Sequence, residues 1–264
     1  MLTLSDCKQS EMDCTSAHGE FAARFDLKKG AEDSPCGGLT GDLLGMQTYF
    51  AEGGINGTPK FAESTVAIRA QFMFAYAYER LLADLLADGM DPFFTDYKAL
   101  EEMIGDPDAL GDFKVGVDAE GFCEVPKIST VELNLPEIPE IPETPPTDDD
   151  PATPDVDESS PGDPGAPGQA ATSLKYVWDN VKFLVTPDAQ GTQFSADLKL
   201  TVDGETCDYH VVAVYPPVPC INDEGEADQS ICDDDANGIN PDFPTKCSKT
   251  FGFCLLEGEL PAYE

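Results

Sequence analysis

Gln193-Phe194-Ser195-Ala196-Asp197-Leu198-Lys199-Leu200-Thr201-Val202 alternates without a break, and Asp203-Gly204 follows at once. Successive side chains of a strand point to opposite faces, so Phe194, Ala196, Leu198, Leu200 and Val202 share one buried face. Asp-Gly suits the left-handed geometry of a two-residue hairpin turn. The return strand carries Tyr209, Val211, Ala213 and Tyr215. Pro216-Pro217-Val218-Pro219 ends it, because proline has no N–H to give to a ladder. Upstream, Lys175 to Val185 holds Tyr176, Val177, Trp178, Val181, Phe183 and Val185 and reads as a third strand. Residues 174–215 are therefore expected to form a three-stranded antiparallel meander, whose apolar face needs a covering layer.

The N-terminal part offers candidates for that layer. Glu20 to Lys28 alternates, with Phe21, Ala23, Phe25 and Leu27 on one side and Glu20, Arg24, Asp26 and Lys28 on the other. Gly41 to Ala51 reads as a second strand, interrupted by Gly45. A helix is expected over roughly Ile68 to Ala87, where Phe74, Tyr78, Leu81 and Leu85 follow helical spacing and Gly89 and Pro92 supply a stop. A short helix is expected around Tyr97 to Ile104. Phe113, Val115 and Val117 suggest a strand that turns at Asp118-Ala119-Glu120-Gly121 and returns through Phe122 and Val125.

Between these parts the composition changes. Glu132 to Ala170 holds ten prolines and eleven acids with no lysine or arginine. Proline removes donors, like charges repel, and little apolar area offsets the ordering entropy, so an extended disordered linker or long surface loop is expected. The organisation expected is a tether over 1–16, an α+β part over 17–131, the acidic linker over 132–173 and a β-meander with a disulfide-rich end over 174–264. The fold class expected is α+β, mainly antiparallel β, with one long helix. One composite domain is as compatible with this pattern as two.

The charge balance bounds the partners. Acids number 51 against 15 bases, a formal net charge of −36. Such a field repels nucleic acid and anionic membrane surfaces, keeps the chain soluble and attracts divalent cations or a basic partner. No run approaches the ~20 apolar residues of a helical membrane span. The apolar fraction of 41% is enough for a packed core.

Nine cysteines lie at irregular spacing, none as Cys-x-x-Cys, and the chain has two histidines, His18 and His210. Both features argue against zinc. A disulfide framework is expected instead, and with it an oxidising compartment. Cys14, Cys36, Cys123, Cys207, Cys220, Cys232, Cys247 and Cys254 can pair completely, leaving Cys7. Five cysteines fall between Cys207 and Cys254, so at least one bridge must reach elsewhere, most simply across the linker. Cys232 and Cys247 flank an acidic loop and are placed to staple it.

Met1-Leu2-Thr3-Leu4-Ser5-Asp6-Cys7 resembles the end of a bacterial lipoprotein signal, in which small residues precede the lipid-bearing cysteine. Asp6 departs from that pattern, and no charged or long apolar stretch precedes it. Either an upstream signal peptide has been removed or export follows another route. The resemblance implies a lipid anchor at Cys7; the alternative is a Cys7 paired with Cys14 or left free.

Asp233-Asp234-Asp235-Ala236-Asn237-Gly238-Ile239 resembles the opening half of an EF-hand-like calcium loop. The resemblance implies Ca2+ ligands at Asp233, Asp235, Asn237 and the carbonyl of Ile239. Pro244 stands where that family places its bidentate glutamate, and Asp242 would close the shell from a displaced position, as in thrombospondin-like repeats. Eight acids and no base between Ile221 and Thr245 also suit an ordinary acidic, disulfide-closed turn.

Nothing in the sequence matches a nucleophile elbow, a phosphate loop or a zinc-protease helix. The near-N-terminal Cys7, the Pro/Asp-rich stretch and the cysteine-bearing β-rich end resemble surface lipoproteins of Gram-negative bacteria. That resemblance implies an extracytoplasmic location: the outer-membrane surface, the periplasm or the medium. The function expected is a non-enzymatic surface or secreted protein of structural or interaction type, stabilised by calcium, with a protein or cell-surface partner. A secreted carboxylate-dependent hydrolase is the alternative, and an acidic nucleic-acid mimic the third reading.

Overall fold

The computed structural model describes residues 12–53, 59–72, 106–135 and 170–262, with a few positions between 137 and 168. Among the described residues nine strands build the main sheet, and two short ones, the seventh and eighth, pair apart from it: β1 (Gly19–Lys29), β2 (Gly41–Ala51), β3 (Lys60–Ala70), β4 (Asp108–Asp112), β5 (Phe122–Val125), β6 (Val131–Leu135), β7 (Thr147–Asp148), β8 (Ser159–Ser160), β9 (Thr172–Val185), β10 (Gln190–Val202) and β11 (Glu205–Val214). Two short strands, β12 (Thr245–Cys247) and β13 (Cys254–Leu256), follow.

The meander forms as its alternation requires. At the β10–β11 turn Val202 faces Glu205, and Asp203 and Gly204 both take positive φ, 51° and 87°. That is the primed hairpin geometry an Asp-Gly pair favours. β11 then pairs with β1, placing Phe25 opposite Val211, and the sheet runs β4-β3-β2-β1-β11-β10-β9-β5, antiparallel throughout. β6 pairs with the first half of β9 and β5 with its second half.

The two ends of this sheet meet. Gly111 of β4 bridges Ile128, Ser129 N donates to Leu110 O at 2.8 Å, and Lys114 N donates to Glu124 O at 2.8 Å. The sheet therefore nearly closes into a barrel, and the covering layer the meander needs is the rest of the same sheet. Its interior is filled by Phe21, Phe25, Leu44, Ile68, Phe183 and Phe194 with Tyr176, Trp178 and Tyr209. Phe194 lies tilted at 5.1 Å from Phe183 and edge-on at 6.1 Å from Trp178. A barrel of about eight strands is narrow enough for side chains to fill.

Disulfides close both ends. The segment before β1 is held at one end by Cys14–Cys123, by Ser16 N donating to Thr48 Oγ1 at 2.9 Å, and by Ala17 N donating to Gly191 O at 2.9 Å. A Cβ at Gly191 would lie 2.5 Å from Thr15 O, so the chain can cross there only over a glycine. At the other end Cys36–Cys207 anchors the β1–β2 connection, and the buried Tyr209 hydroxyl donates to Cys36 O.

Three expectations change. Ile68 begins no helix: with Val66 and Ala70 it is an inward side chain of β3, paired on one side to β2 and on the other to β4. Local helical spacing loses there to two ladders. The helical residues 71 and 72 follow, while the rest of the expected long helix and the Tyr97–Ile104 helix lie outside the described residues. The expected linker is entered from both ends by the sheet, since Val131, Leu133 and Leu135 alternate inward in β6 and β9 begins at Thr172. Within it, Thr147 pairs with Ser160 and Asp148 with Ser159. The cysteines do not staple Cys232 to Cys247: the bonds are Cys220–Cys247 and Cys232–Cys254.

Candidate functional site: an acidic cleft on a disulfide-bonded cap

After β11 the chain folds back over the outer face of the meander. Val218, Ile239, Phe243, Leu256 and Ala262 pack with Leu184, Val212 and Val214 of the barrel wall into a second apolar cluster. The two cap disulfides lie inside it. The Sγ atoms of Cys220, Cys232 and Cys247 fall within 4.8 Å of one another; each belongs to a disulfide, so none is a free thiolate to bind metal.

Barrel side chains fasten the tail of the cap. Arg24 donates to Leu256 O and Gly258 O while pairing with Asp26 at 3.0 Å. The buried Gln193 amide donates to Ala262 O at 2.9 Å and accepts from Ala262 N at 3.1 Å, satisfying both its ends. His210 lies 2.7 Å from Glu259 and 3.1 Å from Asp197. Burial acts to raise the Asp197 pKa, but hydrogen bonds from Asn180 and His210 outweigh it and hold the carboxyl below its usual range.

The acidic loop starts from a single helical turn, Gln229–Cys232. Asp228 caps it, and the Ser230 hydroxyl and amide hold that carboxyl below its ordinary pKa. Gln229 Nε2 donates to Asp233 at 2.8 Å and to Thr245 O at 3.0 Å, tying the loop to β12. Asn237 organises the turn: Nδ2 donates to Ile231 O and Cys232 O, each at 3.0 Å, and Oδ1 accepts from Ile239 N at 2.7 Å. Asn240 Nδ2 then reaches Asp188 O in the β9–β10 turn at 2.9 Å.

Together these contacts shape an open cleft of about 420 Å³, lined by Asp233, Asp234, Asp235, Asn237 and Glu257 with Ile239 and others beneath. Four carboxylates and no base line it. A field of that sign concentrates cations. Of the residues singled out from sequence, Asp233, Asp235, Asn237 and Ile239 reach this cleft; Asp242 is exposed and lies outside its lining. The Asn237 side-chain oxygen is engaged by a backbone amide, and the Ile239 side chain is core. Sequence reading passed over Glu257, which the β12–β13 hairpin brings back to the loop.

His18 precedes β1 and is exposed, and His210 on β11 serves the tail. Asp42 is the buried carboxylate among the described residues, 5% exposed on the inward face of β2. Burial pushes its pKa up to about 7, against hydrogen bonds from the amides of Phe72, Leu43 and Gln71. The opposite Oδ2 and the Tyr176 hydroxyl are both buried without a partner among the described residues. An inward register shared with Leu44 and Met46 was the available signal for this acid.

These features define an antiparallel β protein of barrel type, pinned by disulfides and carrying a C-terminal cap. The chain belongs to the MlpA family, whose pattern matches residues 19–216. It is 34% identical over 100 residues to a Myxococcus xanthus protein named "Putative lipoprotein MlpA", covering 36% of this chain and 42% of that protein. The chain thus spans less than half the length of this relative. No solved structure matches it. The family match ends with β11, so the cap and its acidic cleft lie beyond it.

Proposed function

We propose that this chain is an extracytoplasmic, lipid-anchored surface protein of structural or interaction type, without catalytic activity. The observation that carries this reading is the set of four disulfides, one of which joins Cys36 to Cys207 across 171 positions of sequence. Bonds of this kind persist in oxidising compartments, and the relative named a lipoprotein supports the anchor. All eight cysteines among the described residues are paired, which leaves Cys7 for the lipid. No helix among the described residues is long and apolar enough to cross a membrane. Mass spectrometry of protein recovered from its native membrane fraction tests the proposal. A diacylglyceryl mass on Cys7, and transfer of a Cys7→Ser variant to the soluble fraction, are expected; an unmodified Cys7 in membrane-bound protein overturns it.

The acidic cleft favours a second element, calcium stabilisation of the cap. Asp233, Asp235 and Glu257 would supply hard oxygen ligands of the kind Ca2+ takes. Thermal unfolding should shift upward with millimolar calcium and not in an Asp233→Asn/Asp235→Asn variant. An unchanged midpoint rules the element out and leaves the lipid anchor standing.

A further inference from the structure

Beside the acidic cleft, and sharing Glu257 with it, lies a pocket of opposite character. It occupies about 550 Å³ in the seam between barrel and cap, lined by Arg24, Thr40, Lys246, Lys249, Ser248 and Glu257, with Leu255 and Leu256 among its apolar walls. At the chain's average composition, ten lining residues would bring about two acids and fewer than one base. This pocket has three bases and one acid. Lys246 and Lys249 have no ion-pair partner among the described residues, whereas Lys60, Lys114, Lys175 and Lys182 each meet a glutamate.

The bases come from two segments far apart in sequence. Arg24 comes from β1 and is fixed by Asp26 and by the carbonyls of Leu256 and Gly258, contacts that use three of its five N–H donors. Lys246 comes from β12 and Lys249 from the turn that follows it. Two point-charge ammonium groups and one anchored guanidinium suit a compact, multiply charged oxyanion better than a planar carboxylate, which prefers one bidentate fork. The volume exceeds that of a bare phosphate and leaves room for a small organic group beside the apolar walls.

We propose that this seam pocket binds a phosphate ester carried on a small polar group, and that Lys246 and Lys249 supply its attraction. In a molecule of net charge −36 this is a local site where an anion is drawn in rather than repelled. The site does not depend on lipid at Cys7, so the test uses full-length Cys7→Ser protein.

Calorimetric titration with glycerol 1-phosphate, and with inorganic phosphate as the bare anion, reads the site directly. Saturable binding that weakens as salt rises is expected. Lys246→Gln/Lys249→Gln should weaken it at least about tenfold, while Lys28→Gln/Lys199→Gln on the barrel wall leaves it unchanged. Near-UV circular dichroism verifies that each variant is folded. Sedimentation with phosphatidylglycerol vesicles, against phosphatidylcholine alone, identifies the source. Retention lost in the Lys246/Lys249 variant assigns a lipid headgroup, and soluble binding without retention assigns a free phosphate ester. Absence of saturable binding, or equal binding by the Lys246/Lys249 variant, overturns the proposal.

Discussion

Cys36 and Cys207 are joined although 171 positions separate them, and the bond ties the β1–β2 connection to the start of β11. In sequence the loop it closes contains β2 to β10, whereas in the sheet it joins neighbours, since β1 pairs directly with β11. Cross-linking so long a loop restricts the unfolded chain by about 5 kcal/mol in the chain-entropy model, against about 3 kcal/mol for the 22-residue separation of Cys232–Cys254. Cys36→Ala/Cys207→Ala should therefore lower the denaturation midpoint more than Cys232→Ala/Cys254→Ala. Urea unfolding of the two variants checks the order.

Asp42 should make stability depend on pH in an unusual direction. Its carboxyl ionises near 3.8 in the unfolded chain but only at about 7 when buried. Between those values the folded state holds the extra proton, so this group's contribution falls as pH rises from about 4 to 7. Asp42→Asn should flatten that slope and stabilise the protein above pH 7 by at most about 4 kcal/mol. Unfolding free energies measured from pH 4 to 8 test it; an unchanged slope would show that Asp42 does not ionise in this range.

Asp197 works with the opposite sign. Its lowered folded-state pKa gives stability above the unfolded value, which is lost as pH falls through the folded one. The site is largely exposed, so the free energy is small. His210→Ala removes a hydrogen bond and a charge, and the Asp197 carboxyl should then titrate at higher pH by carbon-detected NMR. The same variant should increase amide exchange around Glu259, which His210 holds at 2.7 Å.

Phe194 is fully buried between Phe183 and Trp178. Phe194→Ala should cost about 3–5 kcal/mol, the range for deleting a core aromatic ring. Ser195→Ala, on the neighbouring outward-facing position of β10, should change thermal stability by less than about 0.5 kcal/mol.

The meander was legible because its signals are local. Alternation from Phe194 to Val202 sets one buried face, Asp203-Gly204 sets the turn, and Pro216 marks the end; each acts within a few residues. The even set of eight cysteines was also legible, as was the need for one bridge out of the C-terminal region. Pairing depends on which Cα atoms come within about 6 Å, and spacing carries no such information. That is why the expected Cys232–Cys247 staple gave way to two crossed bonds.

Composition and alternation thus determined an acidic, disulfide-bonded chain with a β-rich C-terminal half. Only the tertiary structure decided that Ile68 lies in a strand, since the ladders to β2 and β4 are long-range and outweigh helical spacing in a short window. Tertiary structure alone also brought the two ends of the sheet together, through Gly111 and Ile128. It brought Glu257 to the acidic loop and gathered Arg24, Lys246 and Lys249 around one seam. Those residues are more than 220 positions apart in part, and nothing in a one-dimensional pattern reports a meeting made by two packed faces.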